Sequence, residues 1–256
     1  MHLHSHLDLL GVAEAAARTA GDHALAHKHR RTEKLASYAH DVKLVLDQEC
    51  QTLATEVIRK QFPTHPILGE EGRTKGIGDI TWVIDPIDGT VNFSRGIPHW
   101  CCSVAAKDER GNLLCACVYL PESGACFTAG AGKPAALNRE PIRVADTPCL
   151  ADAMVLLGLG DGGGLLEKFA EIYRRSHKLR LLGAAAADFC SVACGRADAV
   201  VSPGLYEWDV AGGELILRQA GGVVLKGPKD DKGRFPIIAG RKEIVGELSR
   251  LLPEFV

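Results

Sequence analysis

Apolar and polar positions recur with two different periods along the chain, and the change of period separates predicted helices from predicted strands. From about Leu7 to Lys28 and from about Asp47 to Phe62, apolar residues stand at helical spacing, so we expect two amphipathic helices. Short apolar runs follow, and two of them, WCCSVAAKD and LLCACVYLP, are separated by ERGN, which predicts a hairpin. The first part of the chain therefore predicts helices beside a largely antiparallel sheet.

The pattern changes after Pro148, where predicted strands and helices alternate. The runs ADAMVLLGLG, KLRLLG, ADAVVSP and GGVVLK have the length of strands, and helices are predicted up to about His177, from about Ala184 and from Trp208. Such alternation is typical of an α/β arrangement. We expect residues 1–148 to form an N-terminal α+β part and residues 149–256 to form a C-terminal α/β part.

Composition and charge narrow the class of protein. A chain of 256 residues, 46% of them hydrophobic, can bury a large core. Its formal net charge is −2, so it has no field of one sign to bind nucleic acid or an anionic membrane. It contains no apolar run of about 18 residues and begins without the features of a signal peptide. We therefore expect a cytoplasmic protein without nucleic-acid or membrane partners, whose nine cysteines are mostly reduced and buried.

Acidic residues follow or end apolar runs in four places. A carboxylate beside a hydrophobic core is costly unless a cation neutralises it, and hard divalent ions such as Mg²⁺ prefer oxygen ligands. Convergence of these side chains would therefore predict a metal site. The acidic residues are Asp47, Glu70, Glu71, Asp85, Asp88 and Asp209.

The segment DPIDGT, from Asp85 to Thr90, has the residues needed to bring a metal and a phosphate together. Its proline permits a sharp turn, which would bring both carboxylates and the carbonyl of Ile87 toward one point. Gly89 lets the backbone approach a bound group closely, and a helix turn beginning at about Thr90 would direct free N–H groups at an anion. Asp-Pro and Asp-Gly are also ordinary turn pairs, so the prediction depends on the other acidic residues.

Three segments together resemble the inositol monophosphatase family, within the magnesium-dependent, lithium-sensitive phosphatases. They are GEE at 69–71, WVIDPIDGTVNF at 82–93 and WDVAGGELILRQAGG at 208–222, with looser similarity in GRADAVV at 195–201 and DVKLVLDQE at 41–49. The resemblance implies a layered α-β-α-β-α sandwich of the inositol monophosphatase and fructose-1,6-bisphosphatase type. It also implies two or three Mg²⁺ ions, inhibition by Li⁺ and a homodimer.

The resemblance assigns the predicted metal ligands to separate ions. Glu70, Asp85 and the carbonyl of Ile87 would hold a first Mg²⁺, and Asp85, Asp88 and Asp209 would hold a second. Glu70 would also help to hold a weaker third ion.

The implied reaction is direct hydrolysis of a phosphomonoester by a metal-activated water. Thr90, positioned by Asp47, would orient the water and help to deprotonate it, and Glu70 completes the predicted catalytic set. No nucleophilic aspartate of the haloacid-dehalogenase type is expected, because the spacing is D-x-x-D and not D-x-D. The implied substrate-binding residues are Asp88, Gly89, Thr90, Gly183, Ala185 and Ser202.

Ser202 departs from the family pattern, which has an acidic residue seven positions before the aspartate of the WD pair. A serine does not accept the paired hydroxyl hydrogen bonds that a carboxylate accepts. Inositol-1-monophosphatase activity is the first expectation, and histidinol-phosphate phosphatase, fructose-1,6-bisphosphatase and nucleotide 3′-phosphatase activities stay open. At the position of a lysine that the family usually has near the metal site, this chain has Ala36, which leaves Lys34 and Lys43 as candidates.

A function of another class is a regulatory protein-binding module built on the phosphatase fold. A degenerate set of acidic residues would favour it. The complete set favours the enzyme, for which the expected partner is a small phosphorylated alcohol or sugar.

Overall fold

The computed structural model describes residues 6–37, 42–159 and 165–256, and two large β-sheets form its frame. The α-helices in these ranges are α1 (His6–Ala26), α2 (Val45–Gln61), α3 (Thr90–Arg95), α4 (Leu165–Arg175), α5 (Ala185–Ala193), α6 (Glu207–Gln219) and α7 (Lys242–Leu251). The strands are β1 (Lys34–Ser37), β2 (Val42–Leu44), β3 (Ile67–Gly69), β4 (Gly72–Thr74), β5 (Ile80–Asp88), β6 (Cys101–Asp108), β7 (Leu113–Leu120), β8 (Ala125–Gly130), β9 (Ala136–Leu137), β10 (Glu140–Pro141), β11 (Met154–Leu157), β12 (Lys178–Arg180), β13 (Ala199–Leu205), β14 (Val223–Lys226) and β15 (Phe235–Gly240).

The helices α1 and α2 confirm the two predicted amphipathic helices. Cys50, Ala54 and Ile58 of α2 are buried at intervals of four residues, so they form one apolar stripe along the helix. The helix ends at Gln61, two residues before Pro63, since a proline disfavours helical backbone at the residue before it. The buried stripes of α1 and α2 pack on the same face of the first sheet.

The first sheet has eight strands in the order β10-β9-β8-β7-β6-β5-β3-β4. Its neighbouring strands are antiparallel except for β3 and β5, which are parallel, and β6 and β7 form the predicted hairpin. Side chains of β5 alternate between the two faces: Trp82 and Ile84 pack toward α1 and α2, whereas Val83 packs toward α5 and α6. Both faces of β5 are therefore buried.

The second sheet has five strands in the order β12-β11-β13-β15-β14. Strand β11 is parallel to β12 and β13, and β15 is antiparallel to its neighbours β13 and β14. Its inner face joins the core formed with α5 and α6, and its outer face packs on α4 and α7.

The layers therefore run α1 and α2, first sheet, α5 and α6, second sheet, α4 and α7. This order confirms the predicted α-β-α-β-α sandwich. Strand β15 and helix α7 lie beyond the last element predicted from the sequence. The division into parts 1–148 and 149–256 stays a proposal, since α5 and α6 of the second part pack on strands of both sheets.

Candidate active site

A cavity of about 300 Å³ lies where the end of β5 meets the first turns of α3, α5 and α6. It brings together segments that are far apart in sequence. The predicted site residues that line it are Glu70, Asp85, Ile87, Asp88, Gly89, Thr90, Gly183, Ala185, Ser202 and Asp209.

A β-bulge at the end of β5 allows Asp85 and Asp88 to line the same cavity. Asp85 lies opposite Ser103 and Asp88 lies opposite Cys101, so three steps along β5 match two along β6. Strict alternation would direct residues three apart to opposite faces of the sheet. Pro86 stands inside the bulge, where its missing N–H leaves no ladder hydrogen bond unmade.

The carboxylate of Asp88 caps the first turn of α5. One oxygen accepts from the N–H of Ala185 at 2.9 Å, and the other accepts from Ala186 at 2.8 Å and Ala187 at 3.3 Å. A negative charge at a helix N-terminus is favourable because the free N–H groups and the helix dipole both stabilise it. Asp88 therefore joins β5 to a helix that begins 97 residues later.

Burial and mutual repulsion raise the pKa values of acidic side chains in the cavity. Burial, followed by repulsion from Glu70, Asp88 and Asp209, raises the pKa of Asp85 well above its usual range. Burial is also the largest cause that raises the pKa of Asp88 to about 6, although its hydrogen bonds lower it. Oδ1 of Asp85 is buried without a hydrogen-bond partner among the described residues. A cation in the cavity would reduce the repulsion between the carboxylates and would give Oδ1 of Asp85 a binding partner.

The donor set fits a hard divalent cation such as Mg²⁺, because the four predicted acidic ligands that line the cavity, Glu70, Asp85, Asp88 and Asp209, offer oxygen ligands. In the ranges that the structure describes, no three His, Cys, Asp or Glu side chains converge closely enough to form a ready-made metal site. Asp88 binds the N-terminus of α5, and Asp209 accepts from the N–H of Tyr206 at 2.7 Å as a cap of α6. Metal binding would therefore require these carboxylates to share or exchange their backbone contacts.

Gly89 and Gly183 form a close contact beside the predicted phosphate position. Gly89 has φ +88° and Gly183 has φ +82°, values that side chains disfavour. A β-carbon on Gly89 would lie 3.0 Å from the β-carbon of Ala184 and 3.2 Å from the carbonyl oxygen of Gly183. The side-chain amide of Asn92 bridges the two segments by donating to the carbonyls of His99 and Leu182.

The hydroxyl of Thr90 donates a hydrogen bond to the carbonyl oxygen of Ile87 at 2.9 Å. Asp47 is buried but is not among the described residues that line the cavity, and its Oδ2 accepts from the N–H of Leu44 at 2.7 Å. Its charge contributes to the raised pKa of Asp85, so it lies near the acidic cluster. The catalytic roles of Thr90, Asp47 and Glu70 stay predictions.

Ser202 is buried in β13 and faces Gly158, where a β-carbon would lie 2.7 Å from its hydroxyl oxygen. This contact leaves no room for a side chain at position 158 without movement of Ser202. Of the two candidate lysines, Lys43 forms an ion pair with the buried carboxylate of Glu71 at 3.1 Å, next to Glu70. Lys34 is exposed.

Two charged residues that line the cavity were not predicted. Asp188 is 3% exposed and pairs with Nε2 of His99 at 3.1 Å; burial raises its pKa and the contact with His99 lowers it. Asp188 lies one helical turn after Ala185, in the segment GAAAAD. A sequence prediction that fixed the start of the helix at Ala185 would therefore have placed Asp188 on the same helix face as Ala185. Arg234 lines the cavity beside Gly204, and no local pattern predicts this position.

Comparison with known proteins places the chain among phosphatases and their relatives. The family model described as inositol monophosphatase family matches residues 7–250. Nus factor SuhB of Xylella fastidiosa is 36% identical over 256 aligned positions, which cover 93% of this chain and 91% of that protein. Inositol monophosphatase of Dictyostelium discoideum is 35% identical over 236 positions, which cover 86% of each chain.

Solved structures show the same fold. The extragenic suppressor protein suhB of Bartonella henselae superposes with a TM-score of 0.88 at 28% identity, covering 97% of this chain and 99% of that one. Inositol monophosphatase from Anabaena superposes with a TM-score of 0.83 at 29% identity, covering 96% of both chains. Among the described residues, no helix has the length and hydropathy that a membrane span requires.

Proposed function

Because the chain belongs to the inositol monophosphatase family, we propose that it is a magnesium-dependent phosphomonoesterase acting on a small alcohol or sugar phosphate. Inositol 1-phosphate is the first candidate substrate. One observation carries the proposal: Glu70, Asp85, Asp88 and Asp209, from three separate segments of the chain, line one cavity. Their mutual repulsion is a cost that a structural role alone does not explain.

The four carboxylates and the carbonyl of Ile87 would hold the metal. Mg²⁺ bound there would supply positive charge for the phosphate oxygens and the departing alkoxide and would lower the pKa of the attacking water. The proton of the Thr90 hydroxyl is already donated to the carbonyl of Ile87, so the lone pairs of Oγ1 remain available to accept a hydrogen bond from that water. Thr90 would thus orient the water toward the phosphorus. The hydrolysis would proceed without a covalent enzyme intermediate.

The substrate end of the cavity combines an uncharged Ser202 with the carboxylate of Asp188 and the guanidinium of Arg234. Asp188, which also contacts His99, has the carboxylate that Ser202 lacks, and a carboxylate accepts hydrogen bonds through two oxygens; this supports substrates with free hydroxyl groups. Arg234, which also pairs with Asp230 at 2.9 Å, is a cation in this lining that would favour substrates with a second anionic group. Phosphates of inositol, histidinol and nucleosides and fructose 1,6-bisphosphate therefore form the substrate panel.

Phosphate release from this panel tests the proposal, with Mg²⁺, with a chelator in its place, and with added Li⁺. Asp85→Asn should lower metal-dependent release by about 100–1,000-fold, and Thr90→Ala should lower it less. Asp79→Asn is the matched control, because Asp79 is exposed in the loop before β5. Absence of metal-dependent release from every member of the panel would refute the enzymatic proposal.

The proposal extends, on the family resemblance, to a cytoplasmic homodimer. Analytical ultracentrifugation checks the oligomeric state, since one chain has a mass of 27.4 kDa. A single species of that mass at micromolar concentration would contradict the dimer.

A second candidate function is regulatory protein binding, which is favoured by relatives that carry the name Nus factor SuhB. Asp85→Asn is the preferred variant to separate the two functions, because Asp88 also caps α5. The gene for the SuhB relative in Xylella fastidiosa would be replaced by this chain and by its Asp85→Asn variant. Equal rescue of the deletion phenotype would support a function independent of catalysis, and rescue by the wild type alone would contradict it.

A further inference from the structure

Two cysteines lie in contact on the face of the first sheet that packs on α1, away from the candidate active site. In the pairing of β7 with β8, Cys117 lies opposite Thr128 and Cys126 lies opposite Tyr119, so the two cysteines are diagonal neighbours on one face. Their sulfur atoms are 3.6 Å apart. This distance is a hydrogen-bonded thiol contact, and it brings the sulfurs within about 1.6 Å of disulfide length.

Cys126 also borders a second cavity of about 310 Å³ that α1 and the turn after β9 enclose. Arg18 of α1 lies at its wall and stacks its guanidinium over the ring of Tyr119 at 4.8 Å from the centroid. Glu14 lies one helical turn earlier, with Oε1 3.8 Å from the sulfur of Cys126 and 2.9 Å from Nε of Arg18. A small polar molecule in this cavity would meet the sulfur of Cys126, a cation and hydrogen-bonding groups together.

The two thiols differ in acidity. The hydrogen bond from Cys117 is the largest cause that lowers the pKa of the Cys126 thiol, and the positive charge of Arg18 lowers it further. Burial and the nearby carboxylate of Glu14 oppose these effects, but the net direction is downward. The same hydrogen bond, together with burial, raises the pKa of Cys117. Burial raises the pKa of Cys115, two residues along the same strand, to about 12. The thiolate is the reactive form of cysteine. Of the two thiols, Cys126, which borders the cavity, is therefore the one that is more readily deprotonated.

We propose that Cys126 and Cys117 form a site that reacts with small hydroperoxides and closes to a disulfide between β7 and β8. This site is separate from the candidate active site, and the inference does not depend on the proposed phosphatase function.

The reaction balances with one molecule of hydrogen peroxide. The thiolate of Cys126 attacks one peroxide oxygen and the O–O bond breaks, which gives a sulfenic acid and hydroxide; the hydroxide takes up the proton that Cys126 released and becomes water. The sulfur of Cys117 then attacks the sulfenic sulfur, the S–S bond forms, and the hydroxyl group leaves with the proton of Cys117 as a second water. Two thiols are oxidised, and one peroxide is reduced to two waters.

Peptide mapping by mass spectrometry after peroxide treatment of the full chain tests the inference. We expect one peptide pair, joined through Cys117 and Cys126, that a thiol reductant separates. Cys115→Ser is the matched control, because it removes a buried thiol from the same face of β7 and should leave the cross-link unchanged. Arg18→Gln should slow cross-linking by about three- to tenfold, since it removes the cation beside Cys126.

Cys117→Ser separates the first step from the second. In this variant we expect Cys126 to form a sulfenic acid that a cyclic 1,3-diketone traps. In Cys126→Ser we expect Cys117 to remain unmodified. Circular dichroism checks that both variants fold. The peptide mapping of the wild type does not depend on either variant. The inference is overturned if Cys117 and Cys126 keep free thiols in the wild type while the more exposed Cys149 or Cys194 becomes oxidised.

Discussion

Gly213 lies where α6 packs against α5, and its replacement by alanine should destabilise the protein. An ideal β-carbon at this position would lie 2.5 Å from the β-carbon of Phe189 and 2.8 Å from its Cγ. The β-carbon of Phe189 is attached directly to the backbone of α5, so no change of rotamer relieves the contact and the helices must separate. Overpacking of this kind costs about 1–3 kcal/mol, whereas alanine gains about 0.5–1 kcal/mol over glycine inside a helix. Because the cost of overpacking exceeds the gain from alanine, we expect the free energy of unfolding to fall by about 1–2 kcal/mol.

Gly246 provides the control, because it is an exposed glycine in the interior of α7 and, apart from its chain neighbours and the adjacent backbone of α7, no described atom lies within 4 Å of its ideal β-carbon. Gly246→Ala should therefore stabilise the protein by about 0.5–1 kcal/mol. Urea denaturation measures both variants, and the midpoint should fall by about 0.3–0.7 M for Gly213→Ala and rise for Gly246→Ala. Similar stabilisation by both substitutions would refute the inferred close packing of α5 on α6.

The same substitution should disturb the candidate site, because α5 and α6 each carry part of it. Asp88 caps α5 and Asp209 lies in the first turn of α6, so separation of the helices changes the distance between these carboxylates. If the proposed function is correct, phosphate release by the folded variant should fall by about 10–100-fold. Unchanged activity at lower stability would show that the site tolerates movement between the two helices.

Three further predictions concern charge, a buried hydrogen bond and metal binding. Hydrogen bonds from Arg30 and then His23 lower the pKa of Glu49 from 4.5 to about 2, so its stabilising effect is fully present above pH 4.5 and is lost as the pH falls toward 2. Urea midpoints of wild type and Glu49→Gln should therefore differ at pH 6 and converge as the pH falls toward 2. The indole N–H of Trp82 donates to Nδ1 of His65 at 3.1 Å, so His65→Leu should cost about 1–3 kcal/mol, and Trp82→Phe in the same background should recover part of the loss. Mg²⁺ at 100 times its dissociation constant should stabilise the wild type by about 2.7 kcal/mol; a melting temperature that does not change with Mg²⁺ would contradict the metal site.

The parts of the fold that the sequence predicts are those whose pattern is local. The buried stripe of α2 and the alternation in β5 are set by residues within a few positions of one another, and both are observed. The β6–β7 hairpin follows from two apolar runs and a short polar turn. Helix α7 also has a readable stripe, with Ile244, Val245 and Leu248 buried at helical spacing, so it was missed although a local signal exists.

The candidate site divides in the same way. The segment from Asp85 to Thr90 is predictable because its turn, bulge and helix start depend on adjacent residues. The place of Arg234 in the site is not predictable from local sequence, because the loop before β15 reaches the cavity only through the pairing of β15 with β13. Asp47 was a candidate from its position after an apolar run, but only the resemblance assigned it a role; its place outside the cavity lining depends on how α2 packs on the sheet.

The cap that Asp88 places on α5 has a consequence for the order in which the chain is synthesised. Asp88 leaves the ribosome before its backbone partners, which follow 97–99 residues later. At about 5–20 residues per second, the interval is roughly 5–20 s. During that time β5 ends in acidic side chains that repel one another and have no helix N-terminus to bind, so the nascent N-terminal segment cannot complete its core at this edge. The emergence of α5 would then supply the helix N-terminus that Asp88 binds, before strands β13, β14 and β15 of the second sheet have been synthesised.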